Sequence, residues 1–405
     1  MNMPKITLAA FILLAGCLPL STMAQRAKTP STFLLKPAAF AQSKADIAKH
    51  DPAKEKALAE LIAAADQALQ HEPYSVTFKS KVPPSGDKHD YMSVGPYWWP
   101  DSTKADGLPY IRHDGVINPE RCAIRDDEYY NSLCGDVNVL GLAWYFTGEK
   151  KYADKAAKQL HTWFLDPATR MNPNLNFGQA IPGITKGRGI GLIDTHRVSE
   201  LIDGIQLLKG SSSLSAADYK GIQQWFGQFL DWMRNSPIGK DEEDEKNNHG
   251  TWYDVQAVIM ALFTQQPDLA KDMLVNVTEK RIDSQLKEDG SQPLELARTL
   301  SWNYSSYNLE AFFTLARLAE NVKVDLWHYE SPGKKSIRKA FEWMLPFAIG
   351  SSTWQHKQIK PMHVDSYLSM AMVAEKKYPD LDLSSLWQKH PKKTGYVLLL
   401  TGWAD

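Results

Sequence analysis

Cysteine is scarce in this chain, with three in 405 residues, at positions 17, 122 and 134. So few thiols exclude a disulfide scaffold. Without a Cys-x-x-Cys or His-x-x-x-His spacing no zinc site is expected, and no other metal or cofactor is called for. Cys122 and Cys134 allow either one bridge in an oxidising compartment or two buried thiols. Charge of one sign is also lacking: 46 Lys and Arg stand against 47 Asp and Glu, a formal net charge of -1. No global field draws the molecule to nucleic acid or to a membrane surface, and any basic groups for a polyanionic substrate must be gathered locally. Strand-like alternation does not recur. Outside the N-terminus no apolar run is long enough to span a bilayer.

The exception, Ile6 to Leu20, follows Lys5 and has the length and flank of an export signal. Two readings of its end compete. Thr22-Met23-Ala24 resembles a small-residue cleavage site, which makes residues 1–24 a signal peptide and 25–405 one mature domain. Leu14-Ala15-Gly16-Cys17 resembles a lipobox, which places a lipid anchor at Cys17. The apolar run continues past Cys17, which favours the first. Either way a periplasmic or secreted location is expected, an outer-membrane lipoprotein being the lipobox form.

What is plentiful is aromatic and helical. There are 13 Trp and 16 Tyr, residues that stack on sugar rings as readily as they fill helical cores. Ala53–Gln70 carries an apolar stripe at helical spacing, and from about Asp127 helical segments follow one another. They run Asp136–Thr147, Lys150–Phe164, Thr195–Leu208, Ala216–Asn235, Gly250–Thr264, Pro267–Glu288, Tyr304–Asn321, Lys334–Ile349 and His363–Lys377, mostly separated by Gly or Pro turns. Tyr74–Phe78 and Gly395–Leu400 read as strand or buried helix. Consecutive helix pairs of this length predict an all-α chain, an (α/α) toroid built as an incomplete barrel of antiparallel helical hairpins, with a helical-repeat solenoid as the alternative. Val82 to Asn118, rich in Pro, Gly, Asp and aromatics, reads as a long ordered loop of the kind that carries function. The acidic run Asp241–Glu245 reads as a solvated loop.

Chemistry concentrates in Asn247-Asn248-His249-Gly250-Thr251-Trp252-Tyr253 and in Glu295-Leu296-Ala297-Arg298 through Tyr304. An amide, an imidazole, a guanidinium and a phenol suit removal of the weakly acidic proton beside a carboxylate, as at C5 of a uronate. Nitrogen donors offset the charge that builds on the carboxylate, a base takes H5 and an acid protonates O4. Asn248, His249 and Arg298 are placed around the carboxylate with Tyr304 as the proton shuttle, its pKa lowered by Arg298; His249 is the alternative base. Asn247 or Asn248 also reads as the N-cap of a helix, whose N-terminus is itself a carboxylate site.

These segments resemble the Asn-His and Arg…Tyr motifs of the alginate-lyase-type polysaccharide lyases. Tyr91-Met-Ser-Val-Gly-Pro-Tyr97-Trp98-Trp99-Pro, with Gly107-Leu-Pro-Tyr110-Ile-Arg112, is similar to their N-terminal signature. Asn176-Phe-Gly-Gln179 and Gly187-Arg188-Gly-Ile-Gly-Leu-Ile-Asp194 look familial too. The resemblance runs from about residue 85 to 370 and implies an α/α toroid and metal-free β-elimination on an acidic polysaccharide. Tyr304 follows Arg298 by six residues, where many such enzymes place it after seven. With the Trp-Trp-Pro loop, this brings the chain closer to the branch that includes glucuronan lyases as well as alginate lyases. Tyr307 lies near the same position, but Tyr304 aligns with the family phenol.

Substrate contacts are expected from Tyr91, Tyr97, Trp98, Trp99, Gln179, Arg188, Asn247 and Tyr307, two of the first four serving to anchor the loop. Arg112, His196, Arg197 and His363 are weaker cleft candidates. The expected activity is cleavage of β-1,4-linked polyuronate, glucuronan or mannuronate-rich alginate, leaving 4,5-unsaturated ends. The alternatives are a glycoside hydrolase using two of Asp194, Asp254 and Glu295, and a non-catalytic glycan-binding lipoprotein.

Overall fold

The computed structural model of the chain describes residues 30–392 and 395–401. The export signal, Cys17 and both cleavage readings lie outside the described residues. Helices follow in the order α1 (Pro37–Ala48), α2 (Pro52–Ala68), α3 (Asp126–Thr147), α4 (Lys150–Leu160), α5 (Val198–Leu208), α6 (Ala216–Asn235), α7 (Pro237–Glu243) and α8 (Asn248–Phe263). Then come α9 (Pro267–Met273), α10 (Glu279–Gln285), α11 (Pro293–Leu296), α12 (Ser301–Ala319), α13 (Ile337–Ile349), α14 (Asp365–Lys377), α15 (Ser384–Lys389) and α16 (Leu398–Thr401).

Packing sorts these helices into two layers. The inner row runs α3, α5, α8, α12, α14, each helix packed on the next. Outside it, α2 and α4 lie on α3, α6 and α9 on α8, and α13 on α12. This is the expected all-α toroid of helical hairpins. Burial explains the layering. In α8 every residue except His249 is buried, and a helix that is apolar nearly all round has no solvent face to offer. Its start is fixed by Asn247, whose side chain accepts the backbone N–H of His249 at 2.9 Å. In α5 only Glu200 escapes burial. Helices α3 and α5 cross closely because both are glycine at the contact. A Cβ on Gly141 would meet the Gly204 carbonyl at 2.9 Å, and one on Gly204 would meet the Val137 carbonyl at 2.8 Å.

The structure departs from the sequence reading at several elements. Helix α3 begins ten residues before the expected Asp136, its first turn made by Asp126, Asp127 and Glu128. Acidic residues there oppose the positive end of the helix dipole, although in sequence they look like loop. The acidic run is not a solvated loop: Pro237–Glu243 is helical and Glu242 is fully buried. Tyr74–Phe78 contains a short 3-10 turn, and the C-terminal apolar run is helical. Cys122 is exposed and Cys134 buried, both as free thiols.

The loop of residues 82–118 holds three short strands. β1 (Met92–Val94) pairs in parallel with β4 (Phe177–Ala180), and β2 (Trp98–Trp99) pairs antiparallel with β3 (Ile111–Arg112). These two small sheets fasten the loop over the start of the inner helices.

Candidate active site

Asn248 and His249 occupy the first turn of α8. Each is held by a buried carboxylate that sequence alone did not single out for that role. Asn248 donates both its backbone N–H and its side-chain amide to Glu295, at 2.7 Å each. It is 1% exposed, so only the second amide hydrogen remains to be used. His249 donates from Nδ1 to Glu242 at 2.8 Å. Burial works to lower the His249 pKa, but the Glu242 charge and hydrogen bond outweigh it and the net shift is upward. The imidazole is therefore held towards its cationic form, with Nε2 free of any protein partner among the described residues.

Arg298 lies between two partners. Its guanidinium binds the Asp114 carboxylate, Nη2 to Oδ1 at 2.7 Å and Nε to Oδ2 at 3.2 Å. It also covers the Tyr304 ring, 3.6 Å from its centroid. Burial alone would raise the Asp114 pKa, but hydrogen bonds from Arg298 and Thr299 carry it well below the carboxylate range. Tyr304 in turn donates its O–H to the Tyr97 hydroxyl at 2.9 Å. The expectation that Arg298 would lower the Tyr304 pKa is corrected here. Burial, and then the neighbouring Tyr97, raise it, and Arg298 only opposes that rise. The resting phenol is protonated.

The long loop thus delivers Asp114 to Arg298 and Tyr97 to Tyr304, contacts spanning 184 and 207 residues of sequence. Shared neighbours link the imidazole to the phenol. Glu295 sits within electrostatic reach of both Arg298 and His249, and Tyr307 within reach of both Glu242 and Tyr304. Tyr307 packs on Trp252 at 4.9 Å and on His196 at 5.6 Å between ring centroids.

The remaining expected residues divide. Trp98 and Arg188 face each other, the guanidinium 5.9 Å from the ring centroid. Trp99 uses its indole N–H on the Val116 carbonyl and so pins the loop. Tyr91 does not wall a subsite: it is 0% exposed, and its hydroxyl donates to Asp194. Gln179 is not a free substrate contact either. It is buried, its amide donates to Asp194 at 2.9 Å, and its carbonyls accept from Arg188 at 3.0 and 3.1 Å. Its role is to hold Arg188. Asn247 caps α8 and donates to Glu245. Arg197 is paired with Glu200 and Arg112 with Asp114. His363 lines a cavity beside Tyr304, and Asp254 is locked to Arg281 at 2.7 Å. Asp194, Asp254 and Glu295, the carboxylates a hydrolase would need, are each engaged within the protein.

The arrangement gathers cationic and amide nitrogen donors around one position beside a phenol. That suits stabilisation of negative charge on a bound carboxylate with proton transfer close by.

Comparison with known proteins agrees. The model of the alginate lyase family matches residues 75–354. An alginate lyase structure from Bacteroides ovatus superposes with a TM-score of 0.86 at 37% identity, over 92% of this chain and 99% of that one. Alginate lyase A1-III from Sphingomonas species A1 gives 0.53 at 15% identity, over 84% and 94%. A tetrasaccharide complex of alginate lyase A1-III gives 0.54 at 15%, over 84% and 93%. At that identity these two speak to the fold alone. No curated protein sequence matches the chain. On the family match and the Bacteroides ovatus likeness together, the chain belongs to the alginate lyase family of polysaccharide lyases.

Proposed function

We propose that this lyase cleaves β-1,4-linked polyuronates whose uronates share the C4 and C5 configuration of β-mannuronate and β-glucuronate, with Tyr304 as both base and acid. The observation that carries this reading is the Arg298–Tyr304–Tyr97 stack, a phenol under a fixed guanidinium, linked through Glu295 and Tyr307 to the surroundings of the Glu242-held His249. In both sugars H5 and O4 lie on the same face of the ring. Tyr304 as phenolate takes H5, the C5 electron pair forms the C4–C5 double bond, the C4–O4 bond breaks, and the same proton passes to O4. Charge growing on the C6 carboxylate is met by His249, Arg298 and the remaining Asn248 amide hydrogen.

His249 is less suited to be the base, because Glu242 favours its protonated form. Glu242 and Glu295 act as positioning residues, the first holding the imidazole's charge and tautomer, the second holding Asn248. Export to the periplasm or beyond, by the N-terminal signal, fits a polymer too large to enter a cell. A screen of polymannuronate, polyguluronate and glucuronan tests the reading through absorbance of the unsaturated uronate. Glucuronan and polymannuronate should be cleaved and polyguluronate, inverted at C5, should be slow. Preference for polyguluronate would overturn the single-phenol scheme.

A further inference from the structure

The segment between α13 and α14 lacks acids and is rigidly mounted. Residues 351–364 include His356, Lys357, Lys360 and His363 and no Asp or Glu, in a chain where acids slightly outnumber bases. Its backbone is sewn to the stretch between Arg298 and Tyr304. The Lys357 carbonyl accepts the Ser301 backbone N–H at 3.1 Å and the Ser301 hydroxyl at 2.6 Å. The Ile359 N–H donates to the Thr299 carbonyl at 3.0 Å, and Gln358 forms a β-bridge with Leu300. The Gln358 side chain accepts from the Trp302 N–H at 3.1 Å and donates to Asn303 at 2.6 Å. Farther on, the His363 carbonyl accepts the Trp302 indole N–H at 2.9 Å. Leu300, Asn303 and His363 line the same cavity as Tyr97 and Tyr304. The segment is therefore a rim of the catalytic cleft, fixed by main-chain and amide bonds rather than by its cations.

Those cations are left over. Lys357 and Lys360 are exposed, and among the described residues their side chains have no partner. His356 instead stacks against Trp354 and Trp343, 5.2 and 6.1 Å between ring centroids. A polyuronate carries a carboxylate on every ring, and only the reacting one meets His249, Arg298 and Asn248. A fixed backbone with free ammonium groups offers the other carboxylates charge at a set place, with little of the rim left to order on binding.

We propose that this rim is a binding track for uronates beyond the reacting ring, with Lys357 and Lys360 pairing with their carboxylates. The track rests on the lyase reading above and adds to it the extent of the ligand, several consecutive uronates rather than a single one. Exposed ion pairs are individually weak and screened by salt. Their contribution therefore lies in holding the polymer, and it appears in KM rather than in kcat.

The test compares two doubly substituted enzymes of equal net charge. One combines Lys357→Gln with Lys360→Gln. The control combines Lys220→Gln with Lys271→Gln, exposed positions on the outer helices α6 and α9. Both are assayed on polymannuronate and glucuronan at low ionic strength, through absorbance of the unsaturated uronate. The rim variant should have a KM at least about threefold above the control, with kcat unchanged. The gap should close as salt rises to about 1 M, where screening acts within about 3 Å. A smaller gap in KM, a gap that molar salt leaves intact, or a loss confined to kcat overturns the proposal while leaving the lyase reading intact. Failure of the wild-type enzyme to form unsaturated product from both polymers overturns the lyase reading, and the binding track with it.

Discussion

Tyr304 donates a hydrogen bond to Tyr97 and lies under Arg298, so removing its oxygen leaves the ring, the cation stack and the cleft shape in place. Tyr304→Phe should therefore abolish turnover while retaining polymer affinity, measured by binding of glucuronan to the variant. Near wild-type turnover would remove the phenol from the mechanism. His249→Ala should cost at least about 10²-fold in kcat, the lower end of a general acid–base contribution.

Protonation gives a sharper test at the same scale. The proposed scheme needs a phenolate at Tyr304 and an imidazolium at His249. With the phenol pKa raised by burial and then by Tyr97, the phenol holds its proton at neutral pH, so kcat/KM climbs with pH for as long as His249 keeps its own. The climb ends where His249 begins to lose its proton, because each further phenolate gained is matched by an imidazolium lost. Glu242 places that bend above the ordinary imidazole value of about 6.5. Glu242→Gln keeps an acceptor but removes the charge, so the bend should move to lower pH. A pH profile for this variant that superposes on wild type would show Glu242 to be structural only. Of these residues, Asn248, His249, Arg298 and Tyr304 stood out in sequence as candidates because each carries a distinctive functional group in a compact motif. Glu242 was not, since a buried glutamate inside Asp241–Glu245 is indistinguishable in sequence from its solvated neighbours. Tyr91 and Gln179 erred the other way, polar groups whose partner, Asp194, is itself buried.

Elements were legible where periodicity spoke and obscure where chemistry at the ends decided. Ala216–Asn235 was read at its true bounds, between the Ser215 cap and Ser236. Pro267–Glu288 was read as one helix, but π-helical turns at Leu274–Thr278 divide it into α9 and α10. The loop of 82–118 was read as a long ordered loop of the kind that carries function, yet nothing local says that Asp114 would meet Arg298. That pairing is set by β2 and β3 folding back on each other. The α3–α5 crossing offers a test at this scale. Gly204→Ala places a methyl against the Val137 backbone carbonyl, which cannot rotate away as a side chain could. Overpacking of this kind costs typically about 1–3 kcal/mol, so thermal or denaturant unfolding of Gly204→Ala should show a loss of that order. An unchanged midpoint would mean that the two helices separate freely.

For the whole molecule, the near-zero net charge and the polyanionic substrate are reconciled by local arrangement. His249, Arg298 and Arg188 gather at the cleft, two of them steadied by buried or half-buried carboxylates. Such a cleft depends on contacts between distant parts of the chain, which explains why the toroid was legible from helix order while the geometry of its site was not. The central claim is that this cleft breaks polyuronates by elimination. It is tested most directly by following one reaction of the wild-type enzyme on glucuronan or polymannuronate in two ways, by absorbance of the unsaturated uronate and by new reducing ends. The account predicts that the two rise together, one double bond for each new end. New reducing ends without absorbance would mean hydrolysis and would contradict it.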